Sequence, residues 1–451
     1  MDLLTWVQIP VLALRGVFME LENVKGTIDE LPERALLRER IADTLKGVFK
    51  KYGFVPLNTS CLQKFETLTA KGSGGEEIKK ETYNFDDNSR RRIGLRFDLT
   101  VPTARLLSEN KSVTMPLKRY EYGKVWRYQE IKPGRQREFY QFDIDIFGTK
   151  SLLAEAELIS CAVEGFKALG FKEFKIRLNN RKLLKEMIKY SGVNEEKITD
   201  VFRSIDKLDK IGVEGVKKEL EQRGIKKETP KIIEVIQISG RYDEVLNKIK
   251  KILGKNEGID ELEELAGYLN VLGIENQCII DLSLVRGLEY YTGTIFEISA
   301  EGLNVSFAGG GRYDSMIQQF GGNEIPAVGL SFGIEPIIQV MEKKEEETAT
   351  AQVFVAVADS TLKNEALKIA DSFRKQKIST ELNLSEKNLS KQFEYCNRKK
   401  IMFAVIVGSR DFREKKATVK NMLSGEETMV ALDKLSEYVV SVVEEKKPKR
   451  K

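Results

Sequence analysis

Histidine is absent from all 451 residues of this chain. A Ser-His-Asp triad, a histidine general base and a histidine-ligated metal are therefore excluded at once. Cysteine is sparse: Cys61, Cys161, Cys278 and Cys396 lie far apart with no C-x-x-C spacing. Neither a zinc site nor a disulfide framework is expected, no metal-ligating residues are assigned, and a reducing cytoplasm fits the free thiols. No apolar run is long enough to span a bilayer, and Leu3–Phe18 is interrupted by Arg15 without a basic leader. The expectation is a cytoplasmic protein with no membrane association. Charge of one sign is missing too: 74 Lys and Arg against 69 Asp and Glu leave only +5. Any nucleic-acid contact must then come from local patches. Neither G-x-x-x-x-G-K-[ST] nor a helix-opening G-x-G-x-x-G occurs. What remains is carboxylates, arginines, lysines, hydroxyls and backbone dipoles, a set suited to phosphate chemistry run by positioning and charge stabilisation.

The chain is too long for one core, so two or three domains are expected. Residues 1–24 read as an N-terminal extension. Residues 33–52 repeat apolar positions at helical spacing and stop before Gly53. Short strands follow between about 95 and 147, then a helix over Leu153–Leu169 and a strand over Phe174–Leu178. A mostly helical, Lys/Glu-rich stretch at 181–275 reads as an inserted subdomain. It divides a first domain made of 25–180 and 276–341. Strand-like segments return at 278–284, 294–299 and 303–308, and Ala327–Met341 reads as a strand running into a helix. The polar run 342–350 is the linker candidate. Beyond it, 351–440 alternates strand and helix as a small α/β domain with a mainly parallel sheet. A basic tail, 441–451, ends in KKPKRK.

Candidate chemistry gathers in the first domain. In LRFDLTV (95–101) Leu95, Phe97, Leu99 and Val101 alternate with Arg96, Asp98 and Thr100, the pattern of a half-exposed antiparallel strand. In EFYQFDIDIF (138–147) Tyr140, Phe142, Ile144 and Ile146 form an apolar face. Phe139, Gln141, Asp143 and Asp145 form the other. Upstream, KVWRYQE puts Val125, Arg127 and Gln129 on one face, and the Pro133-Gly134 turn carries Arg135 and Arg137. Paired as a hairpin, these strands set arginines beside the carboxylates of Asp143 and Asp145. A cationic mouth above an acidic floor is what a nucleotide plus a cationic co-substrate requires; the plainer alternative is an ion-pair network on the sheet. LVRGLEYYTGT (284–294) offers Arg286, Gly287, Tyr290 and Tyr291. FAGGGRYDSM (307–316) reads as a glycine turn before Arg312 and Tyr313. AVGLSFGIEPII follows.

Taken in order, RFDLTVP (96–102), VWRY…GRQREFYQFDID (125–145), LVRGLEYYTGT, AGGGRYD (308–314) and AVIVGSRDF…VKNMLSGEE (404–427) resemble a class II aminoacyl-tRNA synthetase, and among these the histidyl-tRNA synthetases. The resemblance runs from about Lys25 to about 440. It implies an α/β (α+β) class II fold, an antiparallel sheet flanked by helices, with a helical insertion and a C-terminal α/β anticodon-binding domain. It implies activation of histidine with ATP and transfer to tRNA-His, with Mg2+ accompanying the nucleotide. The insertion would embrace the acceptor stem, and a homodimer is expected. By position, Arg127 and Arg286 carry catalysis at the α-phosphate. Arg127, Gln129, Arg135, Arg137, Phe139 and Arg312 bind ATP. Asp98, Thr100, Gln141, Asp145, Arg286, Tyr290, Tyr291 and Tyr313 bind histidine.

Four positions depart from the family pattern. Pro336 replaces the arginine that clamps the γ-phosphate, so another cation, with Arg312 as the candidate, must serve or activity suffers. Ser60 replaces a proline at the dimer interface, Gln129 an acidic residue on adenine, and Ile28 an arginine. Residues 1–18 have no counterpart, so translation is expected to begin at Met19. Another function class shares the same scaffold: a synthetase-like regulatory subunit of ATP phosphoribosyltransferase. Residues 351–440 and the intact Arg127 and Arg286 weigh against it, and Pro336 weighs for it.

Overall fold

A computed structural model describes residues 22–70, 75–285, 290–300, 306–342 and 351–445. The Met19 start, Arg286, residues 343–350 of the linker and the final KKPKRK lie outside them. The chain divides into two compact units at Lys343. Among the described residues no helix is long and apolar enough to cross a membrane.

In the first unit, Pro32 opens helix α1 (Pro32–Lys51), where its missing N–H costs no hydrogen bond. Leu37, Ile41, Leu45, Val48 and Phe49 recur at helical spacing and are buried. They pack onto a nine-stranded sheet. Its strands are β1 (Val55–Pro56), β2 (Leu117–Trp126), β3 (Glu138–Phe147), β4 (Phe174–Asn180), β5 (Ser239–Gly240), β6 (Cys278–Asp281), β7 (Thr294–Ala300), β8 (Ser306–Arg312) and β9 (Ala327–Gly333). The spatial order is β1-β2-β3-β9-β8-β7-β4-β6-β5. All neighbours are antiparallel except β1 with β2 and β4 with β6.

β3 behaves as its alternation dictates. Phe142, Ile144 and Ile146 enter the core with Phe49, Phe166 and Phe332. Register then sets what lies beside the other face. Arg119, Glu121 and Gly123 of β2 stand opposite Asp145, Asp143 and Gln141. Gly329, Ser331 and Gly333 of β9 stand opposite the same three.

Several expectations change. LRFDLTV is not a strand: β structure ends at Leu95, and helix α2 (Thr100–Glu109) begins five residues later. Asp98 Oδ1 accepts the Val101 N–H at 3.0 Å, satisfying one of the donors a helix start leaves open. β2 begins at Leu117 and ends at Trp126, so Arg127 and Gln129 belong to the following loop. The glycine run 309–311 lies within β8 rather than at a turn. A Cβ on Gly310 would lie 1.9 Å from the Gly329 carbonyl oxygen, so no side chain fits between these strands. The strand expected to reach 284 stops at Asp281.

After β4 come helix-forming residues 181–271, arranged as six α-helices. Leu183, Leu265 and Leu269 share one buried cluster with Phe166 and Ile176 of the sheet layer, so the insertion is fused to the sheet's core. Helix α3 (Leu153–Ala168) packs beside α1, and helix α4 (Ile334–Met341) follows β9.

The second unit has strands β10 (Val353–Val357), β11 (Thr380–Leu382), β12 (Phe403–Val407), β13 (Lys416–Asn421) and β14 (Glu427–Ala431), in the order β11-β10-β12-β13-β14. The first three are parallel as expected. β13 and β14 add an antiparallel hairpin that was not. Residues 441–445 are not tail: Leu435, Val439 and Val443 repeat every four residues and are buried in a helix reaching Glu445.

Ion pairs from Arg34 and Arg38 tie α1 to α4. Arg38 donates to both oxygens of Glu335, at 2.9 and 2.8 Å, with both side chains nearly buried. The Tyr140 N–H adds a third bond to Glu335 at 3.1 Å. Pro336 sits in the first turn of α4, where proline is tolerated. Replacing Glu335 with alanine leaves Arg38 paired with Glu30 alone and should cost about 2 kcal/mol in the first unit, the scale of lost hydrogen bonds to a charged group. Chemical denaturation followed by tryptophan fluorescence checks this, and a loss below about 1 kcal/mol would show that the pair does not hold the helices together.

Candidate active site

The polar face of β3 floors a cavity of about 360 Å³. Beside the floor, on the same face of the sheet, runs a buried row of alternating charges. Arg96 donates to Glu121 at 2.8 Å, and Thr59 gives Glu121 both its N–H and its hydroxyl, each at 2.8 Å. Glu121 lies 3.6 Å from Arg119, whose other nitrogen lies 2.7 Å from Asp145. The second oxygen of Asp145 accepts the Tyr313 hydroxyl. Arg119 has no solvent exposure. Burial works against its charge, but Asp145, Asp143 and Glu121 outweigh this and hold its pKa above the ordinary value.

The acids of the cavity are pushed the other way. Burial raises Asp98 to about 6, opposed by the Val101 N–H and by Arg127. Burial raises Asp143 to about 8, opposed by Arg119 and reinforced by Asp145. Asp145 is also raised by burial, with Arg119 and the Tyr313 hydroxyl opposing. Perturbed carboxyls grouped in one cleft mark a place built to receive charge.

The mouth is cationic. Arg127 follows β2, donates from Nε to the Phe97 carbonyl at 2.9 Å, and lies 5.4 Å from the Phe139 ring centre. Arg135 reaches the cavity from the turn made by Pro133-Gly134. Its Nε donates to Gln129 Oε1 at 2.8 Å, and Gln129 Nε2 donates to the Gln136 carbonyl at 2.7 Å. Gln129 is thus a strut for Arg135 and does not line the cavity.

Of the residues singled out in the sequence, Asp98, Thr100, Arg127, Arg135, Phe139, Gln141, Asp145, Tyr290, Tyr291 and Tyr313 all line this one cavity. Tyr290 packs on Tyr291 and Tyr313, with ring centres 4.7 and 5.7 Å away. Two arginines are turned elsewhere. Arg137 lies 3.9 Å over the Tyr128 ring and donates to the Gln129 carbonyl. Arg312, the expected substitute for the missing clamp, uses every guanidinium nitrogen internally. It bonds Glu155, Asp314 and the carbonyls of Thr149 and Ser151. The expectation for Arg312 is therefore corrected: it is a buried strut between β8 and α3.

Sequence reasoning missed Arg119 and Glu121. Their signal was present in LKRYEYG, where Arg119, Glu121 and Gly123 share one face, but only the antiparallel register sets that face beside Asp143 and Asp145. It also missed Asp206 and Lys210, which reach the cavity from the helical insertion. No local pattern distinguishes them from neighbouring surface charges.

The arrangement suits an anion among Arg127, Arg135 and Lys210, a planar ring against Phe139, and a cationic group over the acidic floor. Its means are positioning and charge stabilisation.

Comparison with known proteins gives this geometry a family. The family model described as "Histidyl-tRNA synthetase" matches residues 26–337, and the one described as "Anticodon binding domain" matches 352–442. Histidine--tRNA ligase 1 of Bacillus cereus (strain ZK / E33L) is 38% identical over 431 residues, covering 93% of this chain and all of the relative. Histidine--tRNA ligase of Aeropyrum pernix is 39% identical over 424 residues, covering 90% of this chain and 95% of the relative. The crystal structure of histidyl-tRNA synthetase from Nostoc sp. PCC 7120 superposes with a TM-score of 0.82 at 31% identity, covering 94% of this chain and all of that one. An ATP phosphoribosyltransferase regulatory subunit/histidyl-tRNA synthetase from Bacillus halodurans C shares the fold at 20% identity and a TM-score of 0.71. On matches that run along nearly its whole length, the chain belongs to the histidyl-tRNA synthetase family.

Proposed function

We propose that the protein is a histidine–tRNA ligase, working in the cytoplasm as a homodimer. The histidine carboxylate attacks the α-phosphorus of ATP, pyrophosphate leaves, and histidyl-adenylate forms. The terminal ribose hydroxyl of tRNA-His then takes the histidyl group and AMP leaves. The observation that carries this reading is the division of labour along β3. Phe139 lies at the cationic end beside Arg127, and Asp145 lies at the acidic end beside Tyr313. A nucleotide at one end and a cationic amino acid at the other bring carboxylate and α-phosphate together between them. Arg127 faces that junction and would stabilise the charge that develops on phosphorus. Arg286, outside the described residues, has the same role by family resemblance.

Among the described residues no group of three acids or thiols is arranged to hold a resident cation. By family resemblance, Mg2+ would accompany the triphosphate and help neutralise its charge. With proline at 336 and Arg312 engaged elsewhere, Lys210 is, among the described residues, the third cation at the cavity and would meet the outer phosphates. The helical insertion and the second unit would hold tRNA-His.

Histidine-dependent ATP–pyrophosphate exchange tests the reading. It should be present, and binding of histidine without exchange would favour the regulatory-subunit reading instead. Arg127→Ala should lower the exchange rate by about 100-fold, as loss of a preorganised transition-state donor does. Lys210→Ala should raise the KM for ATP by roughly tenfold, the worth of one charge-assisted contact, with the KM for histidine unmoved. An unchanged KM for ATP would remove Lys210 from the phosphate site.

A further inference from the structure

Beside Asp145 Oδ2, which is ion-paired with Arg119, three oxygens in the cavity are buried without a hydrogen-bond partner: Asp98 Oδ2, Gln141 Oε1 and Asp143 Oδ1. Their residues are 3%, 9% and 2% exposed, and all three line the cavity. Orphaned acceptors at such depth cost free energy unless a ligand brings donors. An ammonium group carries three N–H donors and no acceptor.

The buried charges narrow the choice of ligand further. Arg96 is matched by Glu121, and Arg119 by Asp145. Among the described residues no cation stands at ion-pair distance from Asp98 or Asp143. The acid best placed to read the substrate's ring, Asp145, is already held by Arg119 and Tyr313. Asp143 is held from one side only. Gln141 Nε2 donates to Ser331 Oγ at 2.7 Å, and the Ser331 hydroxyl in turn bonds Asp143. That relay points Gln141 Oε1 and Asp143 Oδ1 outward as acceptors.

Position along the strand says which part of an amino acid they meet. Phe139 marks the nucleotide end and Asp145 the deep end, and side chains on one face recur about every 6.6 Å. The α-carbon must lie beside the carboxylate that faces Arg127, so its ammonium falls over Gln141 and Asp143 while the ring points on toward Asp145.

We infer that Asp143 binds the α-ammonium group of the amino-acid substrate, completing with Asp98 and Gln141 a three-acceptor cradle. The inference rests on the reading of the cavity as a histidine-activating site. It has a pH signature. The groups facing Asp143 are Arg119 and Glu121 from β2, Asp145 from its own strand, Ser331 from β9, Asp98 from the segment before α2, and Tyr290. Because burial lifts the Asp143 carboxyl to about 8, the empty site holds a proton below that pH. An ammonium must expel this proton on binding. Affinity for histidine therefore rises between pH 7 and about 8 as the carboxylate ionises.

The test uses the full chain with Asp143→Asn and three ligands: histidine, histidinol (ammonium but no carboxylate) and imidazolepropionate (carboxylate but no ammonium). The KM for histidine and the Ki for histidinol should rise roughly tenfold, the scale of a charge-assisted bond to a buried carboxylate. The Ki for imidazolepropionate should stay within about twofold, which also shows that the variant keeps a folded site. The rise in affinity from pH 7 to 8 should flatten. Ser331→Ala should move the same two constants in the same direction by a smaller factor. Equal losses for all three ligands, or no loss for any, would overturn the assignment of Asp143. If the wild-type protein shows no histidine-dependent exchange, the underlying reading fails. An active wild type with an unaltered variant sinks Asp143 alone.

Discussion

A guanidinium with no access to solvent lies beside the cavity floor, and much of the first unit is arranged around keeping it there. Arg119 is stable in that position only because Asp145 and Glu121 stand beside it, and Glu121 is itself matched by Arg96. The row dictates small residues where it needs room. A Cβ on Gly329 would lie 1.8 Å from Asp145 Oδ1, so β9 must carry glycine opposite that carboxylate. It also fixes the orientation of Asp145 before any substrate arrives, since one oxygen faces Arg119 and the other takes the Tyr313 hydroxyl. A preset carboxylate does not have to reorganise as substrate binds, which is the condition for electrostatic selectivity in a buried site.

The parts of this arrangement that were legible in the sequence are those governed by local period. The alternation of β3 separates Phe142, Ile144 and Ile146 from Gln141, Asp143 and Asp145 with no tertiary information. The helix α1 and the passage from β9 into α4 are local in the same sense. Illegible parts depend on a partner distant in sequence. RFDLT alternates like a strand, but one oxygen of Asp98 takes the Val101 N–H in the first turn of α2, and the backbone follows the helix start rather than the period. The glycines of β8 look like a turn until β9 is laid 1.9 Å from where a side chain would begin. Arg312 and Arg135 are both arginines beside glycine, and nothing near them in sequence tells a strut from a cavity residue. Glu155, 157 residues from Arg312, decides it.

The replacement at position 336 links these themes. In GIEPI, Glu335 is a structural residue, bound by Arg38 and by the Tyr140 N–H, while proline occupies the first turn of α4 without straining it. The stretch keeps its role in holding α1 to the sheet and carries no cation of its own toward the cavity. On the proposed reading, the third phosphate contact then comes from Lys210. That residue lies in a short segment that ends where Gly212, at φ +67°, breaks the helix in two. A left-handed glycine there sets the direction of the segment independently of the helix that follows. A cation fixed to a strand of the sheet would be in place whether or not the insertion is engaged. A cation borne by the insertion is in place only when that element sits against the site. Nucleotide binding would thereby become sensitive to the position of the helices proposed to hold tRNA, because the two share one charged contact at the cavity mouth.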